Sequence, residues 1–557
     1  MANTFFGGTS DTHEPVHPGI FVDQAGYPAG KRKFAAMTFP ADHFSLVNEN
    51  GDIVYEHEVT HPGMDECSGD DVYIADFTAF DVPGTYRVRA AGQRSAKFRI
   101  GSGVYRKVLH DTLKAFYYLR CGCGLDERCA GSYTHKPCHT GKALVYGSDI
   151  RLDVTGGWHD AGDYGRYVTA GACACAQLLY AYKLCPSVMG AVTAEIPGSG
   201  PGMPDVLREC LYELEWLMKM QRSDGAAYHK VTTMMHAPFV MPEDDNDELY
   251  LFSPSSFATA DLCAVCALAS GIYAEYDAAF AQKLKAAAVR AFGFLEEHPE
   301  FIAFRNPEGC NTGEYGENDD TDNRYWAAAE LYALTGEERY HSAFMRYSGA
   351  LSEKPNYLRS GLGHFIVGGF GTLAYIFAEH PDKDKAFAKE LMNEISGTGY
   401  WLAEKTDKCR YGAAMDTNDY FWGSNMRLAH NGILMVLSAM FTGDARLKRC
   451  ADEQIHVLLG RNALGISYVT GCGEYCCNDP HLRPAYADGV DKCIPGMVSG
   501  GPNRELNDMK ARELIAPGTP PMKCFVDQHD CYSLNEITVY WNAAVVLMLA
   551  LISREDD

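Results

Sequence analysis

The sequence predicts a mainly α-helical protein fronted by a small β-sandwich, and three observations point that way. Short, turn-punctuated runs rich in β-branched and aromatic residues fill the first hundred positions, helical periodicity takes over near residue 104, and about twelve helical segments then follow. A chain of 557 residues exceeds one average domain, so two are expected. The predicted boundaries are an N-terminal extension at 1–15, a sandwich over 16–102 and a helical domain over 103–557.

The strand candidates come in order: GIFVDQAGYP (19–28), KFAAMTF (33–39), FSLV (44–47) and IVYEHEV (53–59) around the Asn50-Gly51 turn, DVYIADF (71–77), GTYRVRA (84–90) and SAKFRI (95–100). In GTYRVRA, Tyr86, Val88 and Ala90 alternate with Arg87 and Arg89, which gives one dry face and one wet face. Helical spacing begins with Leu109, Leu113, Phe116 and Tyr117 at i, i+4, i+7 and i+8. Similar segments recur near 168–184, 204–221, 256–277, 281–297, 323–334, 338–350, 362–378, 384–398, 425–441, 444–459 and 536–553, and their number suggests a paired-helix barrel. Several connecting loops are long and rich in glycine, tryptophan and acids, as functional loops are.

Composition narrows the partners. With 46% hydrophobic and 22% charged residues the chain is globular, and a net charge of −24 argues against nucleic acid or anionic lipid. The start MANTFFGGTSDTHEP has no basic n-region or apolar h-region, and no run of 18 apolar residues occurs, so a cytoplasmic protein with no membrane span is expected. In that compartment most of the twenty cysteines should be free and buried, with a few on metal.

Residues 156–167, GGWHDAGDYGRY, place Asp160 and Asp163 three positions apart in a loop too glycine-rich for an ordinary helix. Two close carboxylates can bind a hard cation, divide acid and base labour on a water molecule, or simply decorate a surface turn. Trp158, Tyr164 and Tyr167 favour a sugar cleft, where pyranose C–H faces stack on flat rings while carboxylates meet hydroxyls and water.

This segment resembles the DAGD motif of glycoside hydrolase family 9, an inverting cellulase family. The resemblance extends through NTGEYGENDDTDNRYWAAAELY (311–332), YFWGSN (420–425), LGRNALGISYVTG (459–471), DPHLRPAYAD (479–488), PGMVSGGPN (495–503) and YSLNEITVYWNAAVV (532–546). It implies an (α/α)6 barrel preceded by an immunoglobulin-like domain. It further implies that Asp163 is the general base, that Asp160 helps hold the attacking water, and that Glu536 is the general acid. Such chemistry is independently reasonable, because an inverting hydrolase needs an acid and a base about 6.5–9.5 Å apart with water between them. On spacing alone Glu536 also reads as a first-turn helix glutamate behind an Asn535 cap. An acid role requires a raised pKa, from nearby carboxylates or from an apolar wall such as Tyr532 or Trp541.

The family commonly has a histidine pair and then an arginine next to the scissile bond; here His481 and Arg483 flank Leu482, so both are sugar-binding candidates while that subsite departs from the pattern. A loop salt bridge from Arg483 to Asp479 or Asp488 is the competing reading. Trp158, Tyr164, Trp326, Trp422 and Tyr532 complete the candidate sugar contacts, with a core role the alternative for Trp326 and Trp422.

Residues 119–139, LRCGCGLDERCAGSYTHKPCH, supply the thiolate and imidazole ligands that zinc prefers, though not at finger spacing. The resemblance implies a structural zinc held by Cys121, Cys138, His139 and His159, with Cys123 and Cys129 unmatched. Calcium is a further expectation, at MPEDDNDE (241–248) or GENDDTDN (316–323), against the alternative of solvated acidic loops.

The leading function is therefore cleavage of β-1,4-glucosidic bonds in cellulose-type glucans or cello-oligosaccharides, the expected partner being a β-linked oligo- or polysaccharide. Exo-β-glucosaminidase action on chitosan oligosaccharides is the runner-up. A non-catalytic carbohydrate-binding protein would be expected to lack one of the three carboxylates. A metalloenzyme centred on the four zinc candidates would lose activity on chelation with its fold intact.

Overall fold

The computed structural model describes residues 19–354, 361–363 and 365–554, so the expected extension at 1–15 lies outside the described residues. Two sheets form the front unit. One contains Ile20–Phe21, Phe34–Met37, Asp71–Asp76 and Thr60–Met64 in that spatial order. The other runs Gly26–Pro28, Phe98–Gly101, Gly84–Ala90, His43–Asn48 and Ile53–Glu58, with Gln93–Arg94 added to Gly84–Ala90. Pairing is antiparallel except between Phe98–Gly101 and Gly26–Pro28. As the alternation predicts, Tyr86, Val88 and Ala90 are buried, and they join Tyr27, Phe44, Leu46, Phe77 and Phe98 in a core of their own. Burying each such large side chain contributes about 1.5–3 kcal/mol.

Among the described residues, twelve helices have ten or more residues. They are α1 (Arg106–Tyr118), α2 (Val168–Leu184), α3 (Asp205–Lys219), α4 (Ser256–Tyr273), α5 (Ala278–Glu297), α6 (Thr321–Thr335), α7 (Glu338–Ser352), α8 (Gly368–Phe377), α9 (Lys385–Lys408), α10 (Ser424–Thr442), α11 (Ala445–Leu458) and α12 (Val539–Ser553). Side-chain caps start several of them: Ser255, Asp277, Asp384, Asp444 and Thr538 accept from first-turn N–H groups, each worth about 1 kcal/mol.

Burial differs sharply between helices. In α4, 16 of 18 residues are buried, whereas in α9 only 8 of 24 are, at Ala388, Leu391, Ile395, Ser396, Gly399, Leu402, Ala403 and Thr406. That spacing is a one-sided stripe. Contacts follow the same division: α2 packs on α4 and α12, α4 on α6, α6 on α8 and α10 on α12, while α1, α3, α5, α7, α9 and α11 each lie against even-numbered helices. Among the described residues, α4 is the one helix long and apolar enough to cross a membrane, yet 89% of it is buried among its neighbours.

Two sequence expectations need correction. The last helix starts at Val539, not 536, and α9 runs ten residues beyond 398 because its stripe continues. A five-stranded sheet of two- and three-residue strands also lies within the helical part: Arg151–Leu152, Ala143–Val145, Tyr250–Leu251, Lys230–Thr232 and Arg166–Tyr167 in spatial order. Strands this short carry no readable alternation, yet they fasten the 156–167 loop to the 226–255 loop.

The sandwich is tied to the helices by polar contacts. Arg87 forms a forked pair with Glu474 at 2.7 and 2.9 Å, and Asp23, pushed up to about 8 by burial, accepts from Tyr105 at 3.1 Å and lies 2.8 Å from His456 of α11.

Candidate active site

The 156–167 loop is anchored at its start. Cys121 N donates to Gly157 O at 2.8 Å and His159 N to Leu119 O at 2.7 Å, which join the loop to the end of α1. From α3, Glu213 accepts from Trp158 N at 2.8 Å and Glu209 from Trp158 Nε1 at 2.9 Å. Trp158 is 2% exposed, so it anchors the loop and offers no face to a sugar. Gly162 passes so close to the 479–483 segment that a Cβ would lie 2.2 Å from His481 O. Only glycine permits that approach.

Asp160 and Asp163 are both buried, and their environments diverge. Asp160 accepts a hydrogen bond from Tyr315 Oη through Oδ2, while its Oδ1 is buried without a hydrogen-bond partner. Burial drives its pKa well above the usual carboxylate range; the Tyr315 hydroxyl opposes the shift and the Asp163 charge adds to it. For Asp163 burial also pushes upward. His236 at 3.3 Å, the Arg483 charge and the Gly165 N–H at 3.1 Å outweigh it and hold this carboxyl below the usual range.

Glu536 lies between the short helix Tyr532–Asn535 and α12, in extended backbone. The capping residue of α12 is Thr538, and the Asn535 side chain instead donates to Asp479 O and Asp527 Oδ1, so Glu536 is not a first-turn helix glutamate. A backbone bridge pairs it with His481, Gly500 N donates to its carbonyl at 2.9 Å, and Val539 N donates to Asp160 O at 2.8 Å. These contacts join the 532–541 segment to the carboxylate loop. Burial raises the Glu536 pKa well above its ordinary value, the charges of Asp163 and Asp160 raise it further, and Arg483 and Trp422 pull back weakly. Burial is thus the larger cause and the neighbouring carboxylates the smaller, so both routes expected for an acid act on Glu536.

Arg483 pairs with neither Asp479 nor Asp488. It donates from Nε to Ala237 O at 2.7 Å and from Nη1 to Gly162 O, holding the carboxylate loop beside the 226–255 loop. His481 faces His529 O through Nδ1 and is pushed down to about 4 by burial, so it is neutral at pH 7. Trp422 and Tyr532 are each 38% exposed with ring centres 5.4 Å apart, as stacking surfaces should be. Trp326 is the opposite: it has no exposed surface, packs on Phe370 and donates to Glu330, so it is core. Tyr164 is also buried, its hydroxyl donating to Val240 O and its ring lying against His139 and His159.

Two functional contacts escaped the sequence reading. His236 is one of nineteen histidines and lies in no quoted motif; Tyr315 lies inside the 311–332 motif, which is read for its family resemblance, one residue before the acidic stretch at 316–323. A tyrosine among glycines and carboxylates was the available signal.

Beneath the loop, Cys121, Cys138, His139 and His159 bring one ligand atom each within 4.8 Å of one another. His139 Nε2 lies 3.2 Å from Asp245 Oδ2, and its Nδ1 is buried without a partner. That is the donor set of a tetrahedral metal site whose histidine is oriented by a carboxylate. Cys123 and Cys129 are partly exposed and stand outside the cluster. Of the two loops expected to hold calcium, 241–248 has two of its five acids turned to other partners: Asp245 serves His139 and Glu248 forks onto Arg151. At 316–323, Glu317, Asp320 and Asp322 are buried with Asp261, and Asp261 Oδ2 and Asn323 Oδ1 have no partners.

Comparison with known proteins gives the chain a family. The family model described as glycosyl hydrolase family 9 matches residues 105–549, and that of the cellulase N-terminal ig-like domain matches 16–95. A cellodextrinase from Butyrivibrio fibrisolvens is 44% identical over 546 residues, covering 95% of this chain and 99% of the relative. The structure of AaCel9A in complex with cellobiose-like isofagomine superposes with a TM-score of 0.89 at 34% identity, over 96% of this chain and 99% of that one. A Zn-binding triple mutant of the family 9 endoglucanase J30 gives 0.86 at 32% identity, over 96% and 100%. With both its helical part and its sandwich matched in this way, the chain belongs to glycosyl hydrolase family 9 and carries an immunoglobulin-like domain at its front.

Proposed function

We propose that this enzyme hydrolyses β-1,4-glucosidic bonds of cello-oligosaccharides with inversion, on a scaffold whose alternating helices close as an (α/α)6 barrel. The observation that carries it is the pair of contrasting surroundings: His236 at 3.3 Å and a backbone N–H on Asp163, and a Glu536 whose segment is tied by backbone contacts to the loop that carries Asp160 and Asp163. Asp163, ionised, takes a proton from water; Asp160 orients that water with its unpartnered buried Oδ1; the water oxygen bonds the anomeric carbon as the glycosidic C–O bond breaks. Glu536, protonated, delivers its proton to the departing oxygen. Trp422 and Tyr532 stack the sugar rings, and His481 and Arg483 shape the floor beside the scissile bond. Preference for short chains is supported by the 44% identity to a cellodextrinase. A reducing, cytoplasmic site of action is supported by twenty free thiols.

Zinc suits the four-ligand cluster, since two cysteines, two histidines and the Asp245 partner match its preferences. With four protein ligands it would have a structural role, fixing the loop that carries Asp160 and Asp163. A hard cation such as calcium suits 316–323, where the unpartnered oxygens of Asp261 and Asn323 meet buried carboxyls.

Anomer-resolved NMR of products from cellopentaose and a chitosan pentamer tests the proposal. Release of α-anomers from cellopentaose is expected. Release from the chitosan pentamer alone would favour the glucosaminidase reading, and binding without hydrolysis of either would leave a carbohydrate-binding protein.

A further inference from the structure

Lys230 is a buried cation that no step above uses. It lies on the strand Lys230–Thr232, which pairs antiparallel with Arg166–Tyr167 directly after the carboxylate loop. Its side chain has no exposed surface. Nζ donates to Gly313 O and Asn306 Oδ1, both at 2.7 Å, and to Thr312 Oγ1 at 3.0 Å. The rings of Phe252, Phe304 and Tyr167 stand around it at 4.8, 5.5 and 5.6 Å. An ammonium has three donors, and burying it costs several kcal/mol unless each is met. Here the three nearest acceptors suffice for three protons, and they and the two longer contacts, to Thr312 O at 3.5 Å and Cys310 Sγ at 3.7 Å, all belong to the 306–313 stretch.

The neighbouring residue works on the same stretch: His229 Nε2 lies 2.9 Å from Glu314 O. Residues 312, 313 and 314 are therefore held in succession from one strand. The next residue is Tyr315, at φ +47, a left-handed conformation that a bulky side chain rarely adopts, and its hydroxyl donates to Asp160. The contacts form a closed circuit: carboxylate loop, paired strand, Lys230, the 306–313 stretch, Tyr315, and back to Asp160. An apolar side chain at 230 would leave Gly313 O and the Asn306 amide oxygen without that donor, and the stretch would relax toward solvent at the expense of Tyr315.

We propose that Lys230 is a positioning residue for catalysis: its ammonium clamps 306–313 and so holds Tyr315 on Asp160. The proposal rests on the reading of Asp160 as the residue that orients water.

The test is a double-mutant cycle on the full, metal-replete chain with cellopentaose, using wild type, Lys230→Met, Tyr315→Phe and the double variant, with thermal unfolding of each. Lys230→Met and Tyr315→Phe should each lower kcat about tenfold with KM within about twofold, and the double variant should fall less than about twofold below either. A folded Lys230→Met with wild-type kcat, or losses that multiply in the double variant, would overturn the clamp. Should Lys230→Met fail to fold, Asn306→Ala replaces it in the cycle; non-multiplying losses support the clamp and multiplying ones overturn it. Asp160→Asn separates the two readings. If it is impaired while the cycle multiplies, only the clamp fails, and if it keeps wild-type kcat, the reading of the site fails.

Discussion

The loop at 156–167 and the segment at 532–541 lie in backbone contact, each carries a carboxylic acid, and the protein treats the two acids oppositely. Asp163 meets His236 at 3.3 Å, the Arg483 charge and a backbone N–H, which together overcome the penalty of burial. Glu536 has two carboxylates as its strongest charged neighbours, so charge adds to burial. Acid and base are thus assigned by partners and not by residue type. Burial raises both; His236, Arg483 and a backbone N–H offset it at Asp163, and neighbouring carboxylates add to it at Glu536.

The sharpest way to break this comparison is to remove each carboxylate and change the leaving group. Asp163→Asn and Glu536→Gln should each cost roughly 10²–10⁴ in kcat on cellopentaose. With a dinitrophenyl cellobioside, whose leaving group needs no proton, Glu536→Gln should regain most of its rate and Asp163→Asn should not. Equal recovery of both variants would reverse or erase the assignment.

A smaller effect is expected at the partner. His236→Ala removes the main group opposing burial at Asp163, so its pKa rises. Because the base works only when ionised, the acid limb of kcat/KM must move to higher pH, with a loss of about tenfold or less near neutrality. An unmoved acid limb would show that His236 does not hold the base ionised.

Next comes the metal cluster, which touches the loop and not the 532–541 segment. Cys138→Ser or chelation should lower the melting temperature by several degrees, corresponding to about 1–3 kcal/mol. Full stability after verified removal of bound metal would deny the cluster its structural role.

The last expected effect touches stability alone and is a slope. Glu213, beneath the loop, is pushed up to about 8 by burial, from 4.5. A carboxyl raised in the folded state contributes stability that is fully present below its unfolded pKa and is lost as pH rises toward 8. Glu213→Gln should flatten the fall in melting temperature between pH 5 and 8, by up to about 1.4 kcal/mol per pH unit. An unchanged slope would place the buried charge elsewhere.

Periodicity made the helices legible because each buried stripe repeats over several turns, as in α9. The motifs made the three carboxylates legible because chemistry limits which residues can do this work. Aromatic roles were not legible: Trp158, Trp326, Trp422 and Tyr532 have the same stacking faces, and burial alone separates the first two as anchors from the last two as platforms. The two-residue strands and His236 were missed for a related reason, since neither has a local pattern and both acquire meaning from partners distant in sequence.

By itself the sequence determined the two-part architecture and picked out the three carboxyls and the Cys-His cluster that the structure draws together, because these follow from local periodicity and from residue types that few chemistries use. Only the tertiary structure decided which carboxyl is ionised, which aromatics reach solvent and how Lys230 reaches Tyr315. Those properties depend on desolvation and on charges a few ångströms away in space, contributed by residues such as His236 and Arg483 that lie 73 and 320 positions from Asp163 along the chain.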